Sequence, residues 1–223
     1  MIGVIVWKEL KETIRDKSIL SSGFSVLSFL TLLNVTILKH NIVFNVESLV
    51  FYIAPCLGVL AGFGLSSRLV REKREGVVET LLCTPITLRE LWLGKVIGLT
   101  LPSYLIALMS MMLFICLREY RLNEVMIAYL AIAIPVIIAS AIGILGLLQY
   151  ALGMRQIQIL NYIVFFTLFT ILYLVVRRLT VPGNSIMSWW SLGVVLTISL
   201  TILSVAFYLV AHLGRERIVT TII

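Results

Sequence analysis

Glu72, Glu75 and Glu79 stand three and four residues apart, in a chain that has only 11 acidic residues among 223. On a helix that spacing gathers the three carboxylates on one face. A membrane enzyme working on lipid head groups would need such a group to hold a metal or deprotonate a nucleophile. Arg71, Lys73 and Arg74 are threaded between them, however. Opposite charges one turn apart stabilise a helix by about 0.2–0.5 kcal/mol per pair, so the favoured reading is a solvated, ion-paired face. Other chemistry-bearing residues are scattered. Cys56, Cys83 and Cys116 are odd in number and widely spaced, which predicts neither a disulfide framework nor a metal site. No Gly-rich phosphate loop is present, and the polar segments are too short to hold a nucleotide-binding domain.

These residues sit in a chain that is 60% hydrophobic and 13% charged, against roughly 25% charged in soluble domains. Several apolar runs reach the ~20 residues a helix needs to cross a bilayer core of about 30 Å. Closed barrels are excluded because the runs are too long and continuous for barrel strands. The expectation is one all-α polytopic membrane domain over residues 1–223, with six spans at 19–38, 48–67, 96–117, 124–150, 159–176 and 189–211. An amphipathic interfacial helix is expected over 1–18, with Val6, Trp7, Leu10 and Ile14 at helical spacing. The run at 19–38 is longer than a signal-peptide core and lacks a small-residue cleavage site, so it is read as the first span.

Ser21, Ser25 and Ser28 share one face of that first span, with Asn34 drifting round from it; helix packing is their ordinary role. Ala54, Gly58 and Gly62 recur every four residues in the second span, and Ala139, Gly143 and Gly146 line a small-residue face of the fourth. Both predict close helix packing. Pro55 is a candidate kink in the second span.

The net charge of +7 does not point to nucleic acid, because the basic residues flank apolar runs. Thirteen fall on the side that holds both termini and residues 68–95, and five on the other. The asymmetry places both termini and that segment in the cytoplasm. The interiors of the spans carry no Asp, Glu, Lys or Arg, which a self-powered ion-coupled pump would need.

Residues 68–95 therefore become the centre of interest. Leu69, Val70, Val77, Val78, Leu81 and Leu82 fall on one side of a predicted helix lying along the membrane, and the charged residues crowd the other. Pro85 forbids continuation. Thr87-Leu-Arg-Glu90 then matches a capping box that starts a new helix leading into the third span. A short helix joined through a capped turn to a span is a mechanical handle: a partner pushing on it would tilt the third span.

The run from Arg71 to Lys95 resembles the segment between the second and third spans of type-2 ABC transporter permeases. The matching positions are Glu75, Gly76, Glu79, Leu81, Pro85, Glu90, Gly94 and Lys95, and Trp7-Lys-Glu-Leu and Arg15-Asp-Lys also look like that family's opening. The resemblance implies a non-catalytic translocation subunit, an exporter, working in the inner membrane as a dimer with a second permease copy. It implies two cytoplasmic ABC ATPase subunits as partners, with ATP and Mg held there and no cofactor on this chain. It also implies that residues 77–84 form the coupling helix, so that Glu75, Gly76, Val77, Val78, Glu79, Leu82, Thr84 and Pro85 would meet the ATPase. Ser21, Ser25, Ser28, Asn34 and Asn161 become candidates for the translocation path. Cytochrome-maturation permeases that serve haem export are a similar variant, although no histidine lies within the predicted spans. A lipid-modifying membrane enzyme and an energy-independent membrane scaffold are the alternatives of other classes.

Overall fold

The computed structural model describes residues 2–15, 46–75, 87–151 and 188–212, together with isolated helical positions at 163, 166–167, 170 and 174. All regular structure among them is helical: α1 (Ile2–Arg15), α2 (Val46–Arg74), α3 (Leu88–Leu117), α4 (Glu124–Ala128), a π-helical turn (Tyr129–Ala133), α5 (Ile134–Ala151) and α6 (Trp189–His212). Three stretches are long and apolar enough to cross a membrane: Leu88–Leu117, Glu124–Tyr150 and Trp189–His212. At 1.5 Å per residue the shortest, with 24 residues, is about 36 Å long and exceeds the ~30 Å hydrocarbon core. They coincide with the expected third, fourth and sixth spans. The expected first span lies outside the described residues, as does nearly all of the fifth, and Val50–Phe63 of α2 is a shorter apolar stretch.

α3 is the central element, with α1, α2 and α5 packed on it; α5 in turn contacts α2 and α6. The glycine pattern accounts for how closely α2 approaches. A Cβ at Gly58 would fall 2.2 Å from Ile138 Cδ1, and one at Gly62 would fall 2.9 Å from Ile142 Cδ1. The face bearing Ala54, Gly58 and Gly62 is thus the surface into which the isoleucines of α5 insert, which is how small residues bring helix backbones together. Gly143 and Gly146 form a second seat, filled by the Trp92 indole, whose ring N–H donates to the Gly143 carbonyl at 3.2 Å.

Three hydroxyls within α3 are satisfied by its own backbone: Thr100, Ser103 and Ser110 donate to Val96, Leu99 and Ile106 carbonyls at 2.6–2.7 Å. Four-residue back-bonds of this kind let a polar side chain enter an apolar bundle without a partner helix. The π turn precedes Pro135, which has no N–H to give the Ala131 carbonyl, and the Ile134 N–H reaches five residues back to Tyr129. Tyr129 stacks on Phe51 at 4.8 Å and donates to its carbonyl at 2.9 Å, tying this turn to α2.

One sequence expectation changes here. The segment expected as the second span and the start of the charged segment are one helix, because α2 runs without interruption from Val46 to Arg74; nothing at Ser66-Ser67-Arg68 breaks helical hydrogen bonding. α1 forms where the interfacial helix is expected; the side it buries in the bundle carries Ile5, Glu9 and Thr13, and Trp7 is 67% exposed. The i, i+4, i+8 stripe fits the bundle because two glycines of α3 face it.

Candidate functional site

The residues singled out around the α2–α3 connection are only partly within the described structure. Glu75 is exposed in the turn that closes α2. Gly76, Val77, Val78, Glu79, Leu82, Thr84 and Pro85 lie outside the described residues, as do Ser21, Ser25, Ser28, Asn34 and Asn161. At the far side of the connection, Thr87 is extended (φ −74°, ψ 149°) and forms a reciprocal cap with Glu90. The Thr87 N–H donates to Glu90 Oε2 at 3.1 Å, and the Glu90 N–H donates to Thr87 Oγ1 at 3.3 Å. Two otherwise unpaired amides are thus satisfied, giving α3 a fixed start.

One turn further into α3, Lys95 is 2% exposed. Its ammonium donates to Glu72 Oε2 of α2 and lies 3.6 Å from Glu9 Oε1 of α1. Glu9 is 2% and Glu72 8% exposed. Glu72 was expected to be solvated among its basic neighbours; it is buried instead, because its helix face turns towards α3 and meets a cation there. Three helices therefore converge on one lysine. The glycines on either side of it make this possible: a Cβ at Gly94 would fall 2.8 Å from Ile5 Cγ2, and one at Gly98 would fall 2.7 Å from Glu9 Cβ. Bare backbone at both positions lets α1 come close enough for Glu9 to reach Lys95.

The surroundings reinforce the cluster. Thr13 donates to the Glu9 carbonyl at 2.6 Å. Lys8 and Glu12 pair at 3.7 Å on the exposed side of α1. From α5, the buried Tyr150 hydroxyl lies within electrostatic reach of Lys95, Glu72 and Glu9, and it has no hydrogen-bond partner among the described residues. Oxygens of Glu9, Glu12 and Glu72 lie within 4.8 Å of one another, a spacing that suits a metal ion. The Lys95 ammonium, however, is already bonded to Glu72 and close to Glu9, and it supplies the positive charge that buried carboxylates require. The cluster is best suited to holding helices in register: removing one partner of such a group leaves an uncompensated buried charge, at about 3–5 kcal/mol.

Sequence reasoning missed Glu9 and Lys95 as members of a single site. The available signal was the Gly94-Lys95-x-x-Gly98 arrangement, in which a small-residue pair four apart encloses a cation and marks a close helix approach beside it. Searches of protein-family models, curated proteins and solved structures found no match to this chain.

Proposed function

We propose that this chain is the membrane-spanning permease subunit of an ATP-driven ABC transporter of the type-2 class, working as an exporter. A separate cytoplasmic ATPase, holding ATP and Mg, delivers energy through the connection between α2 and α3. The observation that carries the reading is mechanical. The charged end of α2 is continuous with its apolar part and is tied to the second turn of α3 by the buried Glu72–Lys95 pair, while α3 itself begins at a reciprocal cap. Force applied between Glu75 and Thr87 reaches two packed helices through short, stiff links. The likeness of residues 71–95 to the permease family and the lack of any phosphate loop in the chain point the same way. Six spans, both termini in the cytoplasm of the inner membrane, and pairing with a second permease copy belong to this proposal.

The test is reconstitution in lipid with an ATPase subunit captured by the full-length chain. The wild-type chain is expected to raise the ATPase's turnover, and the double variant Gly76→Val, Glu79→Gln to remove that stimulation while still inserting and binding. Equal stimulation by the double variant overturns the connection as the place where energy enters. Capture experiments that yield no protein with a phosphate loop overturn the transporter reading itself.

A further inference from the structure

α1 buries an acid and turns its cations outward. Ile5, Glu9 and Thr13 are buried on the side packed against α3, while the opposite side exposes Val4 and Trp7 together with Lys8, Lys11 and Arg15. With 3.6 residues per turn, those five exposed positions fall within an arc of about 100°, across the helix from Glu9. We infer that this outer face of α1 is a docking surface for the head groups of anionic phospholipids, with Lys11 and Arg15 as its principal contacts.

Three features support the assignment. The first is depth. α1 meets α3 at Gly94 and Gly98, within the first half of Leu88–Leu117. Those 30 residues make a helix about 45 Å long, which exceeds the ~30 Å hydrocarbon core. Its start carries Arg89 and Glu90 and belongs outside that core, so α1 crosses α3 close to where hydrocarbon gives way to head groups. The second feature is the mixture of side chains on one arc. Val4 is 75% and Trp7 67% exposed beside the cations, and an exposed indole among lysines suits an interface that is apolar on one side and charged on the other. The third is uncompensated charge. Lys8, Lys11 and Arg15 follow one ridge at spacings of three and four, where like charges repel. Lys8 is balanced by Glu12 at 3.7 Å, but Lys11 and Arg15 meet no acid among the described residues. A phosphate lying between those two, one turn apart, relieves their repulsion and neutralises both. The surface is independent of the function proposed above, since lipid binding by α1 needs no ATPase.

The test uses the full chain in nanodiscs of mixed phosphatidylcholine and phosphatidylglycerol. Gly3, where an added Cβ meets nothing within 4 Å, takes the reporter: Gly3→Cys carries a fluorophore, and Cys56, Cys83 and Cys116 are replaced by alanine. Quenching by brominated phosphatidylglycerol, set against brominated phosphatidylcholine, reads which lipid gathers beside α1. The parent chain is expected to prefer the anionic lipid. That preference falls about fivefold for each of Lys11→Gln and Arg15→Gln, and less for Lys8→Gln, whose charge already faces Glu12. It also weakens as salt is raised, because exposed charges are screened. Lys11→Arg and Arg15→Lys preserve it, which separates charge from any effect on helix stability, and exposed substitutions of this kind leave the fold intact. Arg121→Gln, an equal change in net charge between α3 and α4, leaves the preference as it was. Equal quenching by the two lipids, or a preference that survives in the Lys11→Gln, Arg15→Gln double variant, overturns the proposal. So does the absence of quenching by either lipid, which would give this face to water or to an acidic protein.

Discussion

Gly98 shows how much of this molecule depends on single atoms. A methyl group at that position would lie 2.7 Å from Glu9 Cβ, an atom close to the backbone of α1 that cannot swing aside. Gly98→Val is therefore expected to push α1 off α3 and to destabilise the chain by about 1–3 kcal/mol, the usual cost of overpacking. Limited proteolysis within residues 2–15 and thermal unfolding in detergent read the two effects, and a variant with wild-type values in both would mean that α1 does not rest there. Gly3, where a Cβ meets nothing within 4 Å, is the control. The importance of Gly98 was hard to see in the sequence, where it stands in an apolar run and its neighbour Glu9 is 89 positions away. Trp7, by contrast, belongs to an apolar stripe and stands exposed, as a residue placed at a membrane interface would. Local patterning reports that α1 is amphipathic; which of its residues meet α3 depends on a partner surface that pattern alone does not contain.

Helices were far more legible than contacts. A run of twenty or more apolar residues satisfies its own backbone hydrogen bonds as a helix, so Leu88–Leu117, Glu124–Tyr150 and Trp189–His212 could be read from length and composition. The Thr87–Glu90 cap was also visible, because all its atoms lie within four residues. The unbroken passage of α2 through Ser67 was not, since serines and an arginine suggest the end of a span but impose no break on a helix. The cap yields a prediction for α3 as an element. Thr87→Ala removes the acceptor for the Glu90 N–H and is expected to cost about 1 kcal/mol, seen as a lower unfolding temperature; Thr87→Ser restores most of it. If α3 transmits force from the connection, the Thr87→Ala chain also loses part of its ATPase stimulation, whereas a cap that matters only for stability leaves turnover per folded molecule unchanged.

At the scale of the whole molecule, α6 decides what surrounds the bundle. Only 22% of its apolar window is buried by the described residues, compared with 56% for Glu124–Tyr150 and 44% for Leu88–Leu117. Leu200, Val205, Tyr208 and Leu209 stand exposed along it, and Trp189 and Trp190 stand exposed at the end capped by the Ser188–Ser191 pair. In water such a surface would drive aggregation. In a bilayer the apolar positions meet hydrocarbon and the tryptophans sit at the interface. Lysine placed at two positions on α6 distinguishes these environments. Leu200 lies near the middle of the helix, where a lysine facing lipid costs about 2.5–3.5 kcal/mol on insertion scales. Trp189 lies at its end, where a long cationic side chain reaches the head groups at little cost. Leu200→Lys should therefore sharply reduce the carbonate-resistant, membrane-inserted fraction of the chain, while Trp189→Lys leaves it near wild type. Equal tolerance of both would put this face of α6 against water, because an exposed leucine replaced by lysine in an aqueous surface changes stability by less than about 0.5 kcal/mol. A loss at Leu200 alone would establish α6 as a lipid-facing wall of the bundle, with α5 and α3 packed behind it.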